Sequence, residues 1–215
     1  LRVVSLNIAQ PKTIVYNGRE EQTGIYKVPV NYPVMLTKEG VVDDHVIDKR
    51  YHGGSDKACY GYGLPAYHYW KTIYPDMEMP FGLFGENITA EGLNETHLYI
   101  GQVFTLGEAT IQVSQPRIPC YKLGIRFNDK SIVRRFQQSN FSGVYFRVLK
   151  NGHVSSGDEF IFQESDAKKN ITVSEVFGLF QGGGLNRKLA ETALNEPYLA
   201  HSIKTDIRRK MEQLK

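Results

Sequence analysis

Nine short strand-like segments follow one another through the first three quarters of this chain: RVVSLNI (2–8), GIYKV (24–28), VMLTK (34–38), KACYGY (57–62), ENITAEG (86–92), QVFTLG (102–107), ATIQVS (109–114), GVYFRVL (143–149) and DEFIFQ (158–163). Turn-forming stretches such as LGEA and KNGHVSSGD separate several of them. Many short strands at this spacing predict a closed or nearly closed β-barrel. Thirteen tyrosines, eleven phenylalanines and twenty glycines suit β structure with tight turns. Two helical patterns interrupt the series. In PAYHYWKTIY, Ala66, Tyr69, Trp70 and Ile73 recur at i, i+3, i+4, i+7, with Pro65 fit for a first turn. SIVRRFQQ (131–138) is the second, and it is amphipathic.

Near residue 165 the pattern changes to helices. Thr172 and Glu175 form a capping-box pair, with Ile171 and Val176 as its hydrophobic staple. Val173, Val176, Phe177 and Phe180 then make one apolar face. QGGG (181–184) breaks it, a second helix is predicted over 186–194, and Pro197 is expected in the first turn of a third. That third helix would carry Leu199, Ile203, Ile207, Met211 and Leu214 on one stripe. The expected organisation is mainly β with α: a barrel over 1–164, then a small three-helix bundle over 165–215.

The 215 residues suffice for one substantial core. No apolar run reaches the length of a membrane span, and LRVVSLNIAQPK reads as a strand, not as an export signal. Two cysteines make no disulfide framework, which favours a reducing compartment, the cytoplasm. Residues 1–164 hold 17 basic and 17 acidic side chains, while 165–215 hold 9 and 6. The body is electrically balanced, so no nucleic-acid partner is expected and any anion site must be a local cluster.

One such cluster lies in SQPRIPCYK (114–122). Cys120 has Arg117 three residues before it, Lys122 two after, and Arg126 nearby. Cations favour the thiolate, which is both nucleophile and metal ligand, and Pro116 and Pro119 stiffen the loop that holds it. Cys59, alternating within a strand, reads as core. In RYHGGSDKA (50–58), Gly53 and Gly54 would allow close backbone approach to a ligand among His52, Asp56 and Lys57, or form an ordinary polar turn. FGLFGENITAEG (81–92) is either a loop presenting an amide and backbone donors or a β-bulge. QGGGLNRK lacks phosphate-loop spacing, no dinucleotide fingerprint follows a strand, and no paired zinc-ligand spacing occurs. A Cys–His hydrolase built from Cys120 and His52 stays open on these residues.

Taken in order, HGGSDKA (52–58), FGENITAEGL (84–93) and SQPRIPCYK resemble the MOSC-domain family, and the helical tail resembles its bacterial YiiM-like branch. The resemblance implies a MOSC-type β-barrel that binds molybdenum cofactor, with Cys120 as thiolate ligand to molybdenum. It further implies Arg117, Lys57, Arg50 and Arg147 as partners of the cofactor's phosphate, Asn87 as a reader of the pterin's amide edge, and His52 as proton donor or substrate contact. Such proteins reduce N-hydroxylated compounds: hydroxylamines, amidoximes and N-hydroxylated purine bases. Two cysteines cannot ligate a four-cysteine iron–sulfur cluster, so a separate reductase would supply electrons, with the helical tail either its docking surface or a cover for one end of the barrel. The rival functions are a persulfide carrier on Cys120, a metal-free thiol enzyme, and a binding module whose basic tail contacts nucleic acid.

Overall fold

The computed structural model describes residues 1–47, 53–164, 167, 169–182 and 184–213. Strand β1 (Arg2–Ile8) is followed by a hairpin of β2 (Lys12–Tyr16) and β3 (Arg19–Thr23), then β4 (Val28–Val30), β5 (Val34–Thr37) and β6 (Gly40–Val41). A 3₁₀ turn at Ser55–Lys57 leads into β7 (Cys59–Gly63), helix α1 (Leu64–Ile73), β8 (Ile88–Glu91), β9 (Val103–Leu106) and β10 (Ala109–Pro116). Helices α2 (Tyr121–Phe127) and α3 (Ser131–Gln138) precede β11 (Val144–Lys150), β12 (Gly152–Val154) and β13 (Phe160–Gln163). Helices α4 (Val173–Gly178), α5 (Arg187–Asn195) and α6 (His201–Glu212) complete the order.

Eight strands form one sheet in the order β13-β9-β10-β11-β7-β8-β1-β4. Its pairs are antiparallel except β7 with β8, which run parallel because α1 carries the chain across between them. The sheet also meets itself. Phe160 N–H donates to the Leu1 carbonyl (3.0 Å) and Val3 N–H to that of Asp158 (2.9 Å), so the start of β1 lies along the segment entering β13. A continuous apolar core fills the interior, from Val3, Ile88, Ile111 and Phe146 through to Ile171, Val176, Ala193 and Ile207 of the tail. A second, aromatic core packs α1, α2 and α3 onto β7 around Trp70, Tyr62, Phe84 and Phe136.

Segments that alternate cleanly emerge as read, β1 and α3 with the expected limits, and Pro65 stands at the start of α1. The Thr172–Glu175 capping box is formed in both directions. The departures have local causes. Residues 24–27 are not a strand: a Cβ on Gly24 would lie 1.7 Å from the His45 carbonyl oxygen, so the backbone there packs against another loop instead of pairing. The β2–β3 hairpin turns at Asn17 (φ 50°) and Gly18 (φ 74°), left-handed conformations suited to that dipeptide. Within KNGHVSSGD the chain forms β12, which pairs with β5. Pro197 lies in the turn between α5 and α6, four residues short of the helix it was expected to open, because α6 begins at His201. Leu214 falls outside the described residues.

Candidate functional site

Strand β10 keeps its pairing with β11 as far as Pro116, opposite Val144, and so fixes the start of the next loop. Arg117 follows at once. Only 4% exposed, it lays its guanidinium over the Tyr60 ring at 5.2 Å and the Phe136 ring at 5.3 Å. Its Nη1 is buried without a hydrogen-bond partner among the described residues. Burial works against the cation, yet the phenols of Tyr60 and Tyr145 and the thiol of Cys120 more than compensate, raising Arg117 above its ordinary value. Cys120, three residues on, is extended (φ −124°, ψ 170°), half-buried and free, and immediately precedes α2.

Arg117 and Cys120 share a recess that opens to solvent at its mouth. Lys27, Lys57, Lys122 and His45 bring further nitrogen to its wall, and Tyr60 and Tyr145 line it with aromatic surface. The Tyr60 and Tyr145 rings stand 5.0 Å apart. Burial raises the Tyr145 phenol, with Arg117 opposing. Lys27 is buried and ion-paired with Asp44, so its charge is compensated within the protein. Gly24 contributes bare backbone to the wall, at the point where it nears the His45 carbonyl.

Lys57 reaches the recess from the 3₁₀ turn. Burial lowers its ammonium from the ordinary value, while Asp206 and Asp56 pull it back up. Asn87 also borders the recess, but its amide is engaged internally. Nδ2 donates to Asp44 (2.9 Å) and to the Asn7 carbonyl (3.3 Å), and Oδ1 accepts from Tyr60 N–H (3.2 Å). Asn87 therefore ties β8 to β1 and β7 and steadies Asp44. Arg147 is not among the residues lining the recess. Its Nε donates to Asp56 (2.6 Å) and its Nη1 to the Tyr198 carbonyl (2.7 Å) and to Gln112 (3.2 Å). Arg50 and His52 lie outside the described residues. The structure thus brings Cys120, Arg117, Lys57 and Asn87 to one cavity and holds Arg147 behind it.

Sequence reasoning missed Tyr60, Tyr145, Lys27 and His45. A lone lysine among the apolar residues of GIYKV was the one available signal for Lys27. His45 comes to the site through long-range packing, which no local pattern encodes.

Among the described residues no group of three or more His, Cys, Asp or Glu side chains could cage a metal ion. Cys120 is instead a single soft donor beside cations, one of them with an unfilled buried N–H. That donor set suits a metal arriving with ligands of its own and an anionic group attached. The residues present fit a molybdenum–pterin phosphate better than a bare ion.

The MOSC domain profile matches residues 48–161. YflK of Bacillus subtilis is 38% identical over 212 residues, covering 99% of this chain and 95% of its own. A protein of Gibberella moniliformis called a reductase is 31% identical over 144 residues, which are 66% of this chain but 26% of that longer one. The crystal structure of YiiM from Geobacillus stearothermophilus superposes with a TM-score of 0.81 at 29% identity, covering 98% of both chains. The profile match and the relatives show that the chain belongs to the MOSC domain family.

Proposed function

We propose that this chain is a reductase of N-hydroxylated compounds (hydroxylamines, amidoximes and N-hydroxylated purine bases) that works with molybdenum cofactor and takes electrons from a separate reductase. The observation that carries this is the buried Nη1 of Arg117, without a hydrogen-bond partner among the described residues, in the recess that also holds Cys120. When bound, the cofactor supplies a soft, redox-active metal able to remove oxygen from an N–OH group. Cys120 would be the protein ligand to that metal. Arg117, with Lys57 and Lys122, would hold the phosphate, and Arg50 stays a candidate on family resemblance alone. Tyr60 and Tyr145 shield these cations from water, which strengthens each contact. His52 is proposed as proton donor on family resemblance alone, and among the described residues His45 puts an imidazole on the recess wall.

The electron source follows from what the chain lacks. One of its two cysteines, Cys59, is buried in the core, which leaves no thiolate set for a four-cysteine cluster. The fungal relative called a reductase extends well beyond the matched segment. None of the described helices is long and apolar enough to cross a membrane, and a cytoplasmic setting would keep Cys120 reduced. A barrel over 1–164 with a helical bundle from 165 remains the proposed division of the chain.

The test is the molybdenum and pterin content of protein purified from a cofactor-making host, wild type beside Cys120→Ala, followed by assay on an N-hydroxylated purine base with a supplied reductant. About one molybdenum per wild-type chain is expected, with metal or turnover lost in the variant. Wild-type protein without molybdenum, carrying a persulfide on Cys120, would replace this function with sulfur transfer.

A further inference from the structure

Arg147 carries a positive charge that the recess does not use, and its contacts explain why it is there. Its guanidinium grips Asp56 in the turn that delivers Lys57, side chains 19% and 30% exposed, and in the same fork binds the Tyr198 carbonyl in the link between α5 and α6. Asp56 answers from the other side, accepting the backbone N–H of His201 at the start of α6 (3.3 Å). Ser114 Oγ lies 2.6 Å from the Asp56 carbonyl and 2.8 Å from that of Tyr145, so β10 holds the turn as well. Ala200 N–H donates to the Ser114 carbonyl (3.2 Å), which locks the head of α6 to the same strand.

The geometry points to Arg147 as a positioning residue: with Asp56 and Ser114 it clamps the Ser55–Lys57 turn to the head of α6, making the helical tail part of the apparatus that presents Lys57 to an anion in the recess. The inference rests on the recess being an anion site and specifies how one of its cations is aimed. A fork such as Arg147 loses little freedom on making several bonds at once, which suits it to fixing a turn.

The clamp and plain electrostatics predict opposite signs for one substitution. Asp56→Asn removes a negative charge beside the recess, so by Coulomb attraction alone anions should bind more tightly. If Asp56 acts by holding the turn, they should bind less tightly. The probe is inorganic pyrophosphate, titrated by calorimetry into cofactor-free, full-length protein near physiological salt. Lys57→Met is expected to weaken binding roughly tenfold, the scale of one charge-assisted contact. Asp56→Asn and the charge-neutral Ser114→Ala should each weaken it several-fold. The double variant Arg147→Met/Lys57→Met should bind no more weakly than Lys57→Met alone, since Arg147 would act through Lys57.

Tighter binding by Asp56→Asn, with Lys57→Met still weakened, would overturn the positioning role and leave the anion site standing. Should Asp56→Asn not fold, unchanged affinity in Ser114→Ala overturns it equally. A wild-type protein that does not bind pyrophosphate, or a Lys57→Met variant that binds as well as wild type, would remove the anion site and the positioning role together.

Discussion

The Arg117 guanidinium rests 5.2 Å above the Tyr60 ring with one nitrogen, Nη1, facing no acceptor among the described residues. The rings and phenols hold the guanidinium as a cation, but its unfilled N–H is a buried hydrogen bond left unmade, a cost that an apolar side chain of similar length avoids. Arg117→Met is therefore expected to fold with an unchanged or higher thermal midpoint while losing most of its affinity for pyrophosphate and most of its cofactor. Calorimetric unfolding and metal analysis on the same preparation check both halves. A loss of more than about 3 kcal/mol of stability, the scale of breaking a paired buried charge, would make Arg117 a structural residue.

Gly24 sits where the recess wall touches the 45–47 loop. A Cβ there would come 1.7 Å from the His45 carbonyl, backbone that cannot rotate away. Gly24→Ala should cost about 1–3 kcal/mol in urea unfolding, as overpacking does. It should also weaken anion binding, because the displaced loop carries His45.

Trp70 is fully buried and donates its indole N–H to Tyr62 Oη at 2.7 Å. Tyr62→Phe leaves that donor without its acceptor, at an expected cost of about 1–3 kcal/mol. Trp70 is the single tryptophan of the chain, so its emission reports the change directly. A variant as stable as wild type would mean that another acceptor takes the indole.

Glu95 is buried and accepts the Gly143 N–H at 2.6 Å. Burial raises its carboxyl from 4.5 to about 7, with backbone donors opposing the rise. The folded state therefore prefers the protonated form. The cost of ionisation is absent below pH 4.5, grows as pH rises towards 7 and is complete above it, on the order of 3 kcal/mol. Glu95→Gln should flatten this slope, gaining stability over wild type at about pH 8 and little below the lower value. Parallel slopes in the two proteins would assign the pH dependence elsewhere.

The parts of the site written in one short run were legible. Arg117 and Cys120 lie three residues apart, each directly after a proline, so the sequence itself sets their proximity. Lys57 was legible through the glycines before it. Arg147 was read as a cation for the cofactor because its charge was visible and its partner was not: Asp56 stands 91 positions away. Asn87 likewise showed an amide but not the Asp44, Asn7 and Tyr60 groups that engage it. In the fold, alternation revealed the long strands of the large sheet. The short helix α2 stayed hidden because its seven residues include a glycine and show less than two turns of periodicity. The Asn17-Gly18 turn was a hairpin signal in plain view, flanked by KTIVY and REEQT, segments whose exposed polar residues mask their strand character.

The seam that joins Leu1 and Val3 to Asp158 and Phe160 also bears on how the protein is made. Its two sides are separated by most of the chain, so they cannot meet on a ribosome until the later one has emerged. Until then the start of β1 has one flank open, and loop closure over such a span is slow to be rewarded. Synthesis therefore passes through a stage in which an apolar strand edge waits for its partner, and the yield of folded protein depends on how long that edge is shielded.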